Sequence, residues 1–341
     1  MTDLKLNKFK NIFINNWHLI GHDSDCLNNQ DFIKFITFFG EIVIYNDQGN
    51  LICFDNSCPH RGSRIFKDDF GNQPFVCSYH GWSYNRNVVY PTNPKNFLDC
   101  DMKDIKLNKF KLQKCGRFLF FSISPIRSLE DQLGPLFEDL ESISFSINSK
   151  RDNNIDIYDC HFGHSIENAL EPYHINLVHK NSLGALNLSA GKNYFHGINS
   201  VWESEIQNDR INKLLKTLRE SFDIGAIFEG YRSIYLYPFS MISSTYGLSY
   251  ALQNFFPLKN NATKFYSRFY TANLLSDRLQ GPVDDFFNSS INMNRKIFEE
   301  DKQICNSINI EWTPNPYIFM ADSEIKIKHF KASINEDLQL K

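Results

Sequence analysis

Residues Cys58 to Trp82 read CPHRGSRIFKDDFGNQPFVCSYHGW, and this stretch decides the fold of the first part of the chain. It contains two short limbs, Cys58/His60 and Cys77/His80, and each limb offers one thiolate and one imidazole. A single tetrahedral ion accepts its four ligands in almost any order, whereas two loops that each carry both ligand types can each span two metals. The pattern therefore predicts a two-metal site held between two loops.

Composition and charge limit the classes of protein to which the chain can belong. Its 341 residues fit one large or two ordinary domains, and 42% hydrophobic with 15% aromatic residues is ample for buried cores. The formal net charge is −3 and like charges form no block, which argues against a nucleic-acid partner. Small molecules or proteins are the expected partners.

Hydropathy and cysteine usage indicate the compartment. The sequence has no apolar run near the roughly 18 residues that a membrane span needs, and its first residues lack the apolar core of a signal peptide. We therefore expect a cytoplasmic protein without a membrane partner. The eight cysteines are scattered along the chain, which argues against a disulfide framework and leaves thiols available for metal.

The pattern of apolar residues predicts an α+β protein in two parts. After an N-terminal segment (1–16), short strand-like runs broken by turns predict an all-β domain over 17–125. An acidic connector (126–150) leads to a domain over 151–341 that mixes helices and strands. There, Ile211, Leu214, Leu215, Leu218 and Phe222 predict an amphipathic helix, and a long helix is expected to begin near residues 281–282.

An iron–sulfur cluster explains the first motif better than zinc does. A Rieske-type [2Fe–2S] centre holds one iron by two thiolates and the other by two imidazoles. Zinc also accepts two Cys and two His, but zinc fingers usually pair like ligands, whereas here the types are interleaved. Pro59, Gly62 and Gly81 would let both loops turn tightly. Zinc stays the alternative, and colour separates the two because only the cluster is red-brown.

The stretch ENALEPYHINLVHK (167–180) carries a second candidate metal site. On a regular helix Glu167, Glu171 and His174 share one face, and His179 lies about 140° further round than His174. Both imidazoles can therefore meet one metal only if the helix is distorted. Two histidines and one carboxylate on one side of Fe(II) form the facial triad of non-haem oxygenases, and a later carboxylate is expected to complete it.

The two loops resemble the fingerprint of the Rieske non-haem iron oxygenases, C-P-H-R-G followed after a spacer by C-x-Y-H-G-W. The resemblance assigns the cluster to Cys58, His60, Cys77 and His80. Five further residues of the two loops match the same fingerprint: Arg61, Gly62, Tyr79, Gly81 and Trp82. Rieske proteins of cytochrome complexes carry an extra cysteine in each loop, and Ser63 and Tyr79 stand at those positions here.

The resemblance also implies roles downstream. It implies an α+β catalytic domain with a central antiparallel sheet in a helix-grip arrangement. It assigns His174, His179 and Asp301 to a mononuclear iron, and Glu171 to electronic coupling between the iron site and a cluster histidine of the next subunit. Asp301 stands in FEEDKQICNSIN (298–309), and Glu299 and Glu300 compete for its role. Because successive helix residues are about 100° apart, only one of the three is expected to point at the site.

The implied activity is that of an oxygenase alpha subunit, which uses O₂ at Fe(II) to hydroxylate or dealkylate an aromatic or quaternary-amine substrate. Without G-x-G-x-x-G or C-x₄-C-x₂-C in the sequence, a separate NAD(P)H-dependent reductase of the flavin or ferredoxin type is expected to supply electrons. The resemblance further implies a head-to-tail homotrimer. An electron carrier without oxygenase activity is the alternative, and it would hold only the iron of the cluster.

Overall fold

A seven-stranded antiparallel sheet builds the first part of the chain. The fold is that of a computed structural model and is described for residues 7–85, 88–97, 105–226, 228–276 and 280–339. The strand order is β1-β9-β8-β4-β3-β2-β5, with a separate hairpin β6-β7. The bounds are β1 His18–His22, β2 Asp31–Ile36, β3 Glu41–Asp47, β4 Asn50–Asp55, β5 Phe70–Asn72, β6 Ser83–Asn85, β7 Val88–Tyr90, β8 Lys109–Cys115 and β9 Phe118–Ser122.

An aromatic core lies next to the two metal-binding loops. The first loop follows β4, and the second lies between β5 and β6. Phe66 packs against Phe75 with ring centroids 5.4 Å apart, and both are buried with Phe54. Edge-to-face contacts of this kind add stability beyond the area that they bury. This packed aromatic core therefore supports the two loops.

A second, larger antiparallel sheet builds the rest of the chain, in the order β10-β17-β16-β15-β14-β12-β11, with β13 paired to β17. The bounds are β10 Ile147–Tyr158, β11 Lys192–His196, β12 Asn199–Ser204, β13 Phe222–Asp223, β14 Tyr231–Leu236, β15 Ser240–Thr245, β16 Ser249–Pro257 and β17 Thr263–Leu274. The helices are α1 Lys10–Asn15, α2 Leu129–Leu133, α3 Leu136–Ser146, α4 Phe162–Leu170, α5 Ile175–Val178, α6 Asp209–Arg219, α7 Gln280–Asn306 and α8 Ile325–Gln339. The long helix α7 contacts α4, β10 and β17.

The acidic connector is a packed element rather than an open linker. Ser128 caps α2 by accepting a hydrogen bond from the Asp131 amide at 3.0 Å, and Gly134 separates α2 from α3 at a φ of +55°. Leu129, Leu133 and Leu136 are buried in one core that takes residues from both sheets. The two short helices therefore join the two parts of the chain through apolar contacts.

The N-terminal segment also packs against distant residues. Phe13 is fully buried and its ring centroid lies 6.0 Å from that of Phe239 in the second sheet region. Asn16 donates a hydrogen bond from Nδ2 to Asp337 Oδ2 on α8 at 2.8 Å. The helix α1 thus ties the first residues of the described chain to its last helix.

The predicted α+β class is confirmed, and one predicted helix is shorter than expected. The long helix forms as predicted, and α6 forms with Asn208 as its cap. Phe222 was expected on α6 and lies instead in β13, because the helix ends at Arg219 and the chain turns to pair with β17. No helix in the described ranges has the length and hydropathy of a membrane span. The domain limits at 17–125 and 151–341 stay a prediction.

Candidate metal centres

The two Cys/His loops have matching backbone turns. In the first, the Gly62 amide donates to the Cys58 carbonyl at 2.8 Å, and the Cys58 amide donates to Ser63. In the second, the Gly81 amide donates to the Cys77 carbonyl at 2.9 Å, and the Cys77 amide donates to Trp82. Gly62 and Gly81 have φ of +69° and +72°, a region that favours glycine.

The second turn also needs glycine because of its close neighbour. A Cβ on Gly81 would lie 2.6 Å from Thr92 Oγ1 on the loop that follows β7. The Thr92 hydroxyl itself donates to the His80 carbonyl at 2.5 Å. Thr92 therefore fixes this loop from outside, next to a predicted cluster ligand.

The four predicted cluster ligands converge between the loops. The rings of His60 and His80 have centroids 4.7 Å apart, and the Cys58 and Cys77 thiols lie within hydrogen-bonding contact of each other. Burial and the neighbouring Cys77 sulfur raise the pKa of Cys58, and His60 Nδ1 is buried without a hydrogen-bond partner among the described residues. Two adjacent thiols and an unsatisfied imidazole nitrogen are what a bound metal cluster would satisfy, so these residues fit a [2Fe–2S] group.

The remaining predicted loop residues support the ligands in different ways. Trp82 is buried and stacks on the His60 ring with centroids 4.5 Å apart and an angle of 3°. Tyr79 is 60% exposed and its ring covers that of His80 at 3.7 Å. Arg61 is exposed. His80 and Tyr79 thus face outward, whereas His60 is packed against the protein.

The second motif is interrupted where the sequence predicted a continuous helix. The helix α4 ends at Leu170, Glu171 is extended (φ −108°, ψ 139°), and a new short helix α5 begins at Ile175. Proline disfavours the helical region for the residue before it, so Pro172 forces Glu171 out of the helix. The expectation that Glu167, Glu171 and His174 share one helix face is therefore wrong. The break precedes both histidines, and His174 and His179 flank the single turn of α5 rather than lie on one regular helix.

Three donor atoms from distant parts of the sequence converge at the end of this motif. His174 Nε2 and His179 Nε2 lie 3.1 Å apart, and Asp301 Oδ1 on α7 lies 3.5 Å from the first and 3.0 Å from the second. His174, His179 and Asp301 form a group of donors able to hold one ion. The structure therefore brings together the three residues predicted for a mononuclear site.

The protonation of this group shows why a cation fits there. The Nε2 atoms of His174 and His179 face each other, and the Nδ1 atom of each ring points at a carboxylate outside the group. Burial lowers the pKa of His174, but hydrogen bonds with Asp301 and Glu171 outweigh it and raise the pKa to about 9. Burial raises the pKa of Asp301, but hydrogen bonds from both histidines lower it to about 2. A bound divalent metal would replace these protons, as ligand histidines bind in their neutral form.

Two carboxylates orient the histidine rings from outside. His174 Nδ1 donates to Glu171 Oε1 at 2.6 Å, and His179 Nδ1 donates to Glu300 Oε2 at 2.8 Å. Ser182 Oγ also donates to Glu300 Oε2, at 2.5 Å. Ligand histidines in metal sites usually have such a partner, which fixes the ring and raises its basicity.

Glu300 is the functional residue that the sequence reasoning missed. The spacing around the helix was expected to let only one of the three acidic residues point at the site. Asp301 does point inward, but the longer Glu300 side chain reaches past it to the far side of His179. Glu299 is exposed and accepts from Gln303 Nε2 at 3.2 Å. A ligand histidine usually has a carboxylate partner for its second ring nitrogen, and this expectation, rather than the helix angle, could have identified Glu300.

Other polar residues of the motif lie beside the site or away from it. Asn168 Nδ2 donates to Asp301 Oδ1 at 2.7 Å, which fixes the carboxylate. Glu167 points away from the site and accepts from Trp312 Nε1 at 2.6 Å and from Lys331 Nζ at 2.9 Å. The ring of His161 stacks on Trp312 at 4.8 Å. Glu167 and His161 thus belong to the packing of α4 against the C-terminal segment.

A cavity of about 360 Å³ opens beside the three donors. One row of paired residues crosses the sheet beneath it, in the order Trp202, Ser233, Ser243, Ala251 and Phe269. Small side chains in the middle of the row leave the space, and the two aromatic residues close its ends. The opposite wall comes from α6 and α7. Of the described lining residues, Glu171 and Asp301 are acidic and none is lysine or arginine.

Comparisons with known proteins agree with this geometry. The family model described as the Rieske [2Fe-2S] domain matches residues 16–97. The chain is 34% identical to benzene 1,2-dioxygenase subunit alpha of Pseudomonas putida over 125 residues, which are 35% of this chain and 27% of that protein. It is 26% identical to the carnitine monooxygenase oxygenase subunit of Escherichia coli (strain K12) over 129 residues, 36% of this chain and 34% of that protein.

Similarity of structure extends over nearly the whole chain. The quaternary ammonium Rieske monooxygenase CntA in complex with L-carnitine superimposes with a TM-score of 0.76 at 16% identity, covering 98% of this chain and 92% of that one. At 16% identity, this structural similarity establishes the fold of the chain and nothing further. The sequence matches, by contrast, span only 27% and 34% of the two curated relatives.

Proposed function

We propose that this chain, which carries a Rieske [2Fe–2S] domain and is related to the alpha subunits of Rieske oxygenases, is the oxygenase component of a multicomponent system. It takes electrons from a separate NAD(P)H-dependent reductase and uses O₂ to hydroxylate or oxidatively dealkylate a small organic molecule. Cys58, His60, Cys77 and His80 would hold the cluster, and His174, His179 and Asp301 would hold a ferrous ion.

The convergence of His174, His179 and Asp301 beside a cavity is the observation that supports this function most. A ferrous ion bound by these two imidazoles and this carboxylate would supply oxygen-activating chemistry. Asn168 holds the Asp301 carboxylate by a hydrogen bond of 2.7 Å, and Glu300 holds His179 at 2.8 Å. The chain's own contribution is thus to orient three donors toward a space that takes up a substrate.

Electrons would pass between subunits through Glu171. Its Oε1 accepts from His174 Nδ1, and its Oε2 accepts from the amides of Tyr173 and His174. The neighbouring side chains of Tyr173 and Leu177 are 69% and 83% exposed, an apolar surface that favours a protein contact. His80 is exposed on the other part of the chain. In a head-to-tail homotrimer, His80 of one subunit would meet Glu171 of the next.

The cavity favours an uncharged or cationic substrate over an anionic one. A carboxylate moved out of water is costly unless a cation pairs with it, and the described lining offers neither lysine nor arginine. Ser233 and Ser243 lie side by side on β14 and β15 and can hydrogen-bond a polar group. Trp202 and Tyr231, with ring centroids 5.8 Å apart, can stack on an arene or attract a methylammonium group.

Oxygen uptake with substrates matched in shape and differing in charge tests this function. Anaerobically purified protein is mixed with a surrogate reductase and NADH, and O₂ consumption and product are measured for an arene carboxamide, the matching carboxylate and a benzylic trimethylammonium. We expect product from the neutral or the cationic compound and none from the carboxylate. Product from the carboxylate alone would overturn the substrate class. Absence of any uptake, together with only two irons per chain, would favour the electron carrier.

Glu171→Ala tests the electron path within the same assay. The side chain lies outside the three proposed donors, so at saturating Fe(II) we expect the iron site to stay filled and cluster absorbance to stay unchanged. Product formation should fall by about tenfold to a hundredfold, the usual effect of losing a carboxylate that supports a ligand histidine. The control is Glu299→Ala, which removes an exposed acidic residue of α7. Equal turnover in both variants would remove Glu171 from the path.

A further inference from the structure

Two buried thiols, Cys160 and Cys305, lie in hydrogen-bonding contact near the proposed iron site. Cys160 stands two residues before α4, and Cys305 stands on α7 one helical turn after Asp301. The hydrogen bond from Cys305 lowers the pKa of the Cys160 thiol and raises that of Cys305. Cys160 also has the Ser165 hydroxyl 3.1 Å from its sulfur, a contact that favours the thiolate, and a thiolate rather than a thiol is the nucleophile.

A second, small space lies near this pair and shares lining residues with the substrate cavity. A small space of about 10 Å³, close to the size of one water molecule, lies behind Asp301 and is lined by Tyr158, Ser165 and Asn168. Asp301 and Asn168 line the main cavity as well. Ser165 Oγ lies 3.1 Å from Cys160 Sγ. Asp301, this small space and the Ser165 hydroxyl thus lie between the main cavity and Cys160.

We propose that Cys160 and Cys305 are a redox-active dithiol that hydrogen peroxide oxidises to a disulfide. The Cys160 sulfur attacks one peroxide oxygen, the O–O bond breaks, and a sulfenic acid and water form. The Cys305 sulfur then attacks the sulfenic sulfur and a second water leaves. Two thiols and one peroxide give one disulfide and two waters, so the thiols lose the two electrons that the peroxide gains.

The position of the pair suggests what the oxidation does. The disulfide would join the start of α4 to the end of α7, and these are the helices that meet where Asn168 donates to Asp301. Movement of either helix changes the orientation of the Asp301 carboxylate. We therefore expect reversible loss of oxygenase turnover on oxidation. The expected loss of turnover rests on the proposed function, and so does the proposed iron site as a source of peroxide. The dithiol chemistry of Cys160 and Cys305 does not.

Peptide mapping of the holoprotein tests the proposal without an activity measurement. Protein is treated with stoichiometric hydrogen peroxide, free thiols are alkylated under denaturing conditions, and the chain is cut with trypsin. Cys160 and Cys305 are then each the only cysteine of peptides 152–180 and 303–326. We expect these two peptides to be linked in most chains and to separate on reduction by dithiothreitol. Oxygen uptake, where present, should fall and recover in parallel.

Three controls keep the result interpretable. Peptide 11–34 carries Cys26. Burial and the Asp25 carboxylate raise the pKa of this thiol well above its ordinary value, so peroxide should leave it reduced and it should be alkylated as in untreated protein. Cys305→Ala should leave Cys160 as a sulfenic or sulfinic acid. Cluster absorbance, followed throughout, detects loss of the iron–sulfur group. The proposal is overturned if peptides 152–180 and 303–326 stay unlinked while peroxide is consumed, or if only Cys58 and Cys77 become linked.

Discussion

Replacing Glu300 by glutamine should weaken metal binding by His179 without touching a metal ligand. Glu300 Oε2 accepts from His179 Nδ1 at 2.8 Å and from Ser182 Oγ at 2.5 Å, and its side chain is 21% exposed. The glutamine has the same shape but no charge, and its NH₂ group can turn toward His179. The imidazole then loses the acceptor that fixes its tautomer and raises its basicity.

The expected size follows from the same geometry. Loss of a carboxylate partner of a ligand histidine typically costs tenfold to a hundredfold in metal affinity, about 1.4 to 2.7 kcal/mol. His174 keeps its own partner, Glu171, and Asp301 keeps Asn168. The three-donor group therefore remains assembled, and the loss should concern the contribution of His179 alone.

Anaerobic titration of metal-free protein with Fe(II) or Co(II) measures this affinity directly. Glu299→Gln is the matched control, since Glu299 precedes Glu300 on the same helix but is exposed and paired with Gln303. We expect wild-type affinity for Glu299→Gln and a clear loss for Glu300→Gln. Equal affinities of the two variants would refute the assignment of Glu300 as a positioning residue.

Three further changes test the protonation of the iron site, the buried Lys331–Glu167 ion pair and the substrate cavity. Hydrogen bonds with Asp301 and Glu171 outweigh burial and raise the pKa of His174 from 6.5 to about 9, so its protonated form stabilises the metal-free protein below pH 6.5 and this stabilisation is lost toward pH 9. Metal affinity, measured by titration at several pH values, should rise over that interval. Lys331→Met leaves the buried Glu167 carboxylate without its cation, which lies 2.9 Å away, and urea unfolding should show a loss of about 3 kcal/mol. Ser243→Leu fills the middle of the cavity, so substrate-dependent oxygen uptake should fall while iron content, measured by chelator assay, stays unchanged.

Residue types and spacing were enough to predict the Cys/His ligand group of the two loops and the fold class. The interleaved Cys and His pairs identify the two loops, and Cys58, His60, Cys77 and His80 converge as their spacing suggests. Asp301 was reachable only through the resemblance to a family, since nothing in the periodicity of α7 separates it from Glu299 and Glu300. The helical apolar pattern likewise predicts α6, apart from Phe222, and α7, whereas α8 was not predicted.

Features that depend on tertiary contacts could not be predicted in this way. The break at Glu171 follows from Pro172, but the resulting position of His174 depends on where α5 packs. The reach of Glu300 depends on the side of α7 that faces His179. The connector reads only as acidic, yet Leu129, Leu133 and Leu136 pack between the two sheets. In each case a distant partner decides the conformation, and local sequence carries no record of that partner.

The iron and acid-labile sulfide content of anaerobically purified protein shows whether the chain holds one metal site or two. A [2Fe–2S] cluster and a separate mononuclear site predict three irons and two acid-labile sulfides per chain, and Asp301→Ala should lower iron to two while sulfide stays at two. Two irons in the wild-type protein, unchanged by Asp301→Ala and not increased by added Fe(II), would contradict a mononuclear iron held by His174, His179 and Asp301.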